Sequence, residues 1–466
     1  MSHAETIKAM PYGLLRSLAV GTVSFAAFAQ TQLPRAPHAH VVRVSPEGGH
    51  YSEPGIAINP NNPNQIVTVF QGGAQVEGTA TAAYSSDAGR TFTLASGAGP
   101  TDWKVAGDVS VAFDTKGRAY LCYITFDKLG TAAYWAHNSG RNGIYVRRSS
   151  DGGKTWDRNA VAVKAFPAAD AHDVPFEDES RIFADTQPNS PYAGGLYVGW
   201  VEWQIDQSVM LFSRSTDQGQ TWSKPIRIST HAGLPRDDNG SLGAFVQAVA
   251  PDGTIYAAWD DGNSIVLTES RDGGKTFSPS HPVIEVGPPY FGETTAVSRV
   301  EGFPQIAIDP RSGRLYLCWS DYTNGDVDVF LASSADHGRT WSHPVRVNND
   351  ALHNGKDQFY EWMTVDPKTG AVYVEFYDRR GDPHNVEARI TLARSVDGGK
   401  TFSNYAWTQT AFNPAAAFLG DYTWMVAYNN RVYASWTEAV PPKQAKQGRG
   451  AGVTTVIMTG TADFSQ

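Results

Sequence analysis

The chain has 466 residues, which at roughly 150 residues per domain would suggest about three domains. Lys and Arg total 38 against 47 Asp and Glu, a net charge of −9, which excludes a general nucleic-acid binder relying on a basic stripe to displace counterions. With 45 Gly and 27 Pro the composition is rich in turn residues but short of low complexity, so disorder, collagen and coiled coil are excluded and a turn-heavy β protein is expected.

Residues 1–29 read as an export signal. Lys8 and Arg16 supply a positive flank, Leu18 to Ala29 is apolar or small apart from Thr22 and Ser24, and Ala27-Phe28-Ala29 fits the small-x-small cleavage rule. The mature chain is expected to start at Gln30 and to be secreted, extracellular or periplasmic. The apolar run is too short for the roughly 20 residues that span a bilayer, and no later segment comes close. Residues 30–43 are expected as an N-terminal segment and 44–466 as a single domain.

Repeats decide the architecture. The pattern Ser-x-Asp-x-Gly-x-Thr-aromatic occurs six times, at Ser85 to Phe92, Ser149 to Trp156, Ser215 to Trp222, Ser270 to Phe277, Ser334 to Trp341 and Ser395 to Phe402. Its aspartates, Asp87, Asp151, Asp217, Asp272, Asp336 and Asp397, stand 64, 66, 55, 64 and 61 residues apart. The carboxylate can accept N–H groups of the turn that follows it. The Gly supplies a positive φ that other residues resist, and the aromatic is a wedge for the neighbouring sheet. Alternating apolar stretches such as Ile144-Tyr145-Val146 precede each box, so the box is a hairpin loop between antiparallel strands.

A second signature, apolar-Tyr-x-x-aromatic, recurs between the boxes, as in Leu196-Tyr197 to Trp200 and Leu315-Tyr316 to Trp319. Counting a degenerate copy at Ile66 to Phe70, it occurs seven times, and a third strand such as Gln305 to Ile308 precedes each copy. Four antiparallel strands per repeat predict an all-β, seven-bladed β-propeller with the box hairpins on one face. Counting boxes alone gives six blades as the alternative. Cys122 and Cys318 fall at one register of blades three apart, too far for a disulfide, and are expected as buried thiols.

The six boxes resemble the Asp-box, or bacterial neuraminidase, repeats of the sialidase superfamily. The resemblance implies box hairpins on the face opposite the active site and structural roles for the residues within them. Sialidases use an arginine triad on the substrate carboxylate, a Tyr nucleophile paired with a Glu, and an Asp acid/base. Their first arginine sits in an aromatic-Arg-Ile-Pro segment. Val42-Arg43-Val44-Ser45-Pro46 is a degenerate match at Arg43, and no triad member transfers by motif.

Aligning the innermost strands by register places Glu53, Asp108, Glu179, Ala244, Phe303, Tyr360 and Tyr422 at equivalent heights, where they should ring the channel mouth. Neighbours add Asp178, Glu361 and Asp421, with Arg181 two residues beyond Glu179. Convergent carboxylates raise one another's pKa, which keeps a general acid protonated near neutrality. The resemblance then implies Tyr422 or Tyr360 as nucleophile and Glu179, Glu361 or Glu53 as its base partner. Asp108 or Asp178 would be the acid/base, and Arg181, Arg299 or Arg379 would meet a sugar carboxylate. Trp135 lies in a long loop suited to stacking a sugar.

The expectation is an exo-glycosidase acting on an acidic sugar of an extracellular glycan, monomeric and without a cofactor. A polysaccharide lyase using His50, His384 or a Tyr as base is the competing enzyme, and a non-catalytic glycan- or protein-binding propeller is the third reading. Asp321 to Asp328 has oxygen-rich spacing that could hold a structural Ca²⁺ but lacks the EF-hand's closing Glu. No Gly-x-Ser-x-Gly, His-Glu-x-x-His or phosphate loop occurs, which disfavours serine hydrolase, zinc protease and NTPase.

Overall fold

The computed structural model describes residues 32–465 apart from 74–78, 101, 102, 104, 128–138, 236–239, 288–299, 301, 302 and 442–451. Residues 1–29, read from the sequence as an export signal, and the site candidates Trp135 and Arg299 lie outside the described residues. Residues Leu33 to Gln466 form one compact unit.

Seven four-stranded antiparallel sheets make the seven blades. Their innermost strands are His50–Ile58, Val105–Phe113, Phe176–Ala184, Gly243–Val249, Gln305–Ile308, Gln358–Val365 and Trp424–Tyr428. Every one of these strands lines a single central cavity of 810 Å³. In each blade the innermost strand leaves the mouth, turns at the opposite face and returns as the second strand, which carries the Tyr-x-x-aromatic signature. Large side chains from this second strand, including Trp200, Trp259, Trp319 and Trp436, are fully buried between sheets. Cys122 and Cys318 also lie there as buried free thiols, and burial pushes the Cys122 thiol up to about 12.

The seventh blade is built differently. Its outermost strand is His40–Arg43, which pairs antiparallel with Thr454–Asp463 from the other end of the chain. Residues 40–43, read from the sequence as the end of a separate N-terminal segment, are therefore part of the propeller. Arg43 lies on this outer strand, ion-paired with Glu47 at 2.8 Å, and not at the channel.

The boxes of the first six blades share one hydrogen-bond pattern. In the first, Ser85 Oγ donates to Asp87 Oδ1 at 2.7 Å, and the Thr91 N–H and hydroxyl donate to the two Asp87 oxygens at 2.9 and 2.6 Å. Gly153 (φ +89°) shows why glycine is required: a Cβ there would meet Val67 of the preceding blade at 2.2 Å. The box aromatics wedge as expected, with Phe277 edge-on to Phe212 of the neighbouring blade at 4.7 Å. Among the described residues no helix is long and apolar enough to cross a membrane.

Candidate active site at the channel mouth

The mouth is made by a repeated β-bulge. In five blades the pairing of innermost and second strands skips, between Ser52/Gly55, Gly107/Ser110, Asp178/Arg181, Gly243/Val246 and Phe359/Trp362. The first of the two residues in each skip is left-handed: Glu53 (φ 52°), Asp108 (44°), Glu179 (52°), Ala244 (58°) and Tyr360 (54°). These are five of the seven positions aligned from sequence. Such a backbone costs a non-glycine residue about 1–3 kcal/mol and persists where its surroundings over-determine it. Bulges also re-aim side chains beside active sites.

Hydrogen bonds between blades hold the bulges in place. Gln71 Oε1 accepts the Asp108 N–H at 2.9 Å, Asp108 Oδ2 accepts the Glu179 N–H at 3.0 Å, and Glu179 Oε2 accepts the Ala244 N–H. Asp178 accepts the Glu179 N–H at 3.1 Å and the Trp203 indole N–H at 3.0 Å. Leu419 to Asp421 passes so close over Glu53 that a Cβ on Gly420 would lie 2.3 Å from Glu53 Cγ.

Asp108, Asp178 and Glu179 are partly exposed, whereas Glu53, Arg181, Asp421 and Tyr422 are buried. The Arg181 guanidinium carbon sits 3.8 Å from the Tyr422 ring centroid and 5.3 Å from that of Trp424. Burial pushes the Tyr422 phenol well above its usual range; the Arg181 charge opposes this, and the nearby Glu53 and Asp108 add to it. Burial also acts on Asp108, but contacts with Asp178 and Glu53, the Arg181 charge and the Glu179 N–H outweigh it and hold the carboxyl below its usual range. A cluster of this kind can hold and pass a proton beside a phenol and a fixed cation.

The side chains of the remaining candidates are engaged elsewhere for identifiable reasons. The residue after each bulge turns toward the preceding blade: Ser180 meets Cys122 Sγ at 3.4 Å, and the Phe245 ring fills the space above Gly199. Glu361 occupies this position in the sixth blade, so its carboxyl is buried beside Ser320 and Cys318, where burial pushes it up to about 8. Tyr360 packs edge-on against Phe359 and Tyr377, with centroids 5.3 Å from each. Arg379 is fully buried, 3.4 Å from Asp357 and 5.1 Å from the Phe359 ring centroid, and burial pulls its guanidinium pKa down. Its sequence neighbour Arg380 pairs with Asp378 at 2.6 Å. Neither arginine faces the channel.

His384 is exposed on a loop, and His50 lines a separate 220 Å³ cavity with Tyr51 and Phe418. In the oxygen-rich stretch, Asp328 accepts from Arg346, Asn348 and Asn324 at 2.8, 2.6 and 2.6 Å. Asp321 accepts from the Trp319 indole, Gly287 and Thr323, and Asp326 from Gly355. Each of these carboxylates thus accepts from protein donors, while Asp326 Oδ1 is buried without one. Among the described residues no group of three or more His, Cys, Asp or Glu is arranged to hold a metal.

Three contributors escaped the sequence reading. Gln71 and Trp203 stand at the mouth ends of second strands, and nothing in their local pattern marks them. Glu375 is fully buried, and burial raises its carboxyl well above the usual range. It occupies the register of Cys122 and Cys318 in the second-strand signature, so a charged residue at that place was a readable signal.

The profile of the family described as "BNR repeat-like domain" matches residues 210–435. A sialidase of Bacteroides fragilis (strain YCH46) is 26% identical over 171 residues, covering 31% of this chain and 29% of the relative, so the match spans less than a third of that protein. A protein of unknown function from Dyadobacter fermentans DSM 18053 superposes with a TM-score of 0.50 at 15% identity, over 91% of this chain and 99% of that one. The Hadza microbial sialidase Hz136 superposes with a TM-score of 0.44 at 16% identity, over 77% of this chain and 66% of its own.

Proposed function

We propose, from the premise that this chain is an Asp-box β-propeller of the sialidase superfamily, that it is a glycosidase acting on an extracellular glycan at the bulge-lined mouth. The observation that carries the reading is the convergence of Tyr422, Arg181, Asp108 and Glu53 at one end of the channel. Tyr422 is the nucleophile. A buried phenol with a raised pKa needs a base to take its proton and a cation to steady the phenolate. The Glu53 and Asp108 carboxylates stand ready for the first task and the stacked Arg181 for the second. Asp178, partly exposed and next to Asp108, is placed to protonate a leaving-group oxygen arriving from solvent. The surrounding negative charge suits an oxocarbenium-like transition state.

The test is a glycan panel assayed with the protein while recording released monosaccharide and near-ultraviolet absorbance together. Release of sugar without a new chromophore, abolished in a folded Tyr422→Phe variant, supports hydrolysis through this residue. An unsaturated uronate signal would replace the reading with a lyase, and undiminished release by Tyr422→Phe would remove Tyr422 from the chemistry.

A further inference from the structure

The central channel opens on the box face, away from the mouth, and its chemistry differs from that of the ring. In a chain with 47 acidic and 38 basic residues, its lining holds Arg181, Arg311 and Lys368 and no carboxylate. Arg311 and Lys368 lie at its outer rim, in the turns after innermost strands, and Arg181 lies at its inner end. Trp362 and Trp424 form a stacked wall beside Arg181, with centroids 4.2 Å apart and planes inclined by 26°.

Arg181 is 3% exposed, yet its Nη1 has no hydrogen-bond partner. Stacking explains which part of the group is left over. The flat face of the guanidinium is taken by Tyr422 and Trp424, and Nη1, at the edge of the group, is enclosed without an acceptor. Gln247 Oε1, also in the channel, likewise has no partner. At 810 Å³ the cavity is of ordinary ligand-site volume, roughly 300–1,000 Å³.

We propose that the channel is a second binding site, entered from the box face, for a small organic carboxylate with an apolar or aromatic body. The carboxylate meets the Arg181 edge in a charge-assisted hydrogen bond, and the body lies against Trp362 and Trp424. The rim cations favour entry of an anion over a neutral analogue. This site shares Arg181 with the chemistry proposed at the mouth, whereas Thr364 lies in the channel alone.

The experiment is calorimetric titration of the protein with benzoate and, as neutral control, benzyl alcohol. Saturable benzoate binding, at least tenfold tighter than benzyl alcohol, is expected. Thr364→Phe, which fills the channel without touching the mouth, should abolish it, and Arg181→Gln should weaken it at least tenfold. Absence of saturable benzoate binding, equal binding of benzyl alcohol, or binding unchanged by Thr364→Phe overturns the proposal. Should Arg181→Gln fail to fold, Thr364→Phe decides alone. Glycan turnover by Thr364→Phe is expected to match the parent, so loss of channel binding and loss of mouth chemistry are separable.

Discussion

The guanidinium of Arg181 lies against the ring of Tyr422 at 3.8 Å, which fixes the phenol's position and restrains the rise of its pKa through one contact. Tyr422→Phe keeps the stacked ring and removes only the hydroxyl. Turnover on a responsive glycan is expected to fall by at least about 100-fold, a loss on the scale of removing a reacting group, with the melting temperature nearly unchanged. Tyr360→Phe, inside its aromatic cluster, should stay within about twofold of the parent.

Glu179 joins two blades by accepting the Ala244 N–H. Glu179→Ala leaves that bulge N–H without its acceptor and should destabilise the fold by about 1–3 kcal/mol. Glu179→Gln retains a carbonyl oxygen and should recover most of the loss. Denaturant titration of the two variants checks the order.

Glu361 makes stability depend on pH in a defined direction. Its carboxyl rises from an ordinary 4.5 to about 8 in the folded chain, chiefly through burial. A raised folded pKa contributes stability that is complete below about 4.5 and is lost as pH rises through about 8. Glu361→Gln has no proton to lose. The variant should match the parent near pH 4.5 and exceed it near pH 8, by on the order of 4 kcal/mol at most. Melting curves at the two pH values measure the difference.

The box aspartates act in the opposite sense. Burial works against ionisation of Asp87, Asp272 and Asp397, but hydrogen bonds from their Thr and Ser neighbours outweigh it and hold each near about 2. Depressed values contribute stability above the ordinary carboxylate range that disappears as pH falls through about 2. The parent's melting temperature should therefore fall between about pH 4 and pH 2. A triple Asp→Asn variant at these positions should start lower at pH 7 and change less over that interval.

The fold was legible because both repeat signatures are local: the Asp87-Gly89-Thr91 turn and the Tyr-x-x-aromatic strand each answer to nearest neighbours. Register alignment also found the ring, since equivalent strand positions reach equivalent heights. It failed at Glu361 because a bulge turns consecutive side chains in different directions, and nothing in the alternation around Tyr360 marks the extra residue. Arg379 misled for another reason. A loop arginine reads as available to ligand, whereas Asp357 and Phe359 come from a different stretch of the blade and enclose it. Gln71 is visible only once two blades are side by side.

The pairing of His40–Arg43 with Thr454–Asp463 makes a latch from segments at opposite ends of the domain. During synthesis the amino-terminal half of that latch emerges first and waits for its partner through six intervening blades. Until the last blade arrives, the unfinished arc carries exposed strand edges of the kind that recruit other chains. Closure is thus the longest-range event in folding and the one expected to set its pace, so the intermediate most in need of a chaperone's protection is a nearly complete arc lacking only its clasp.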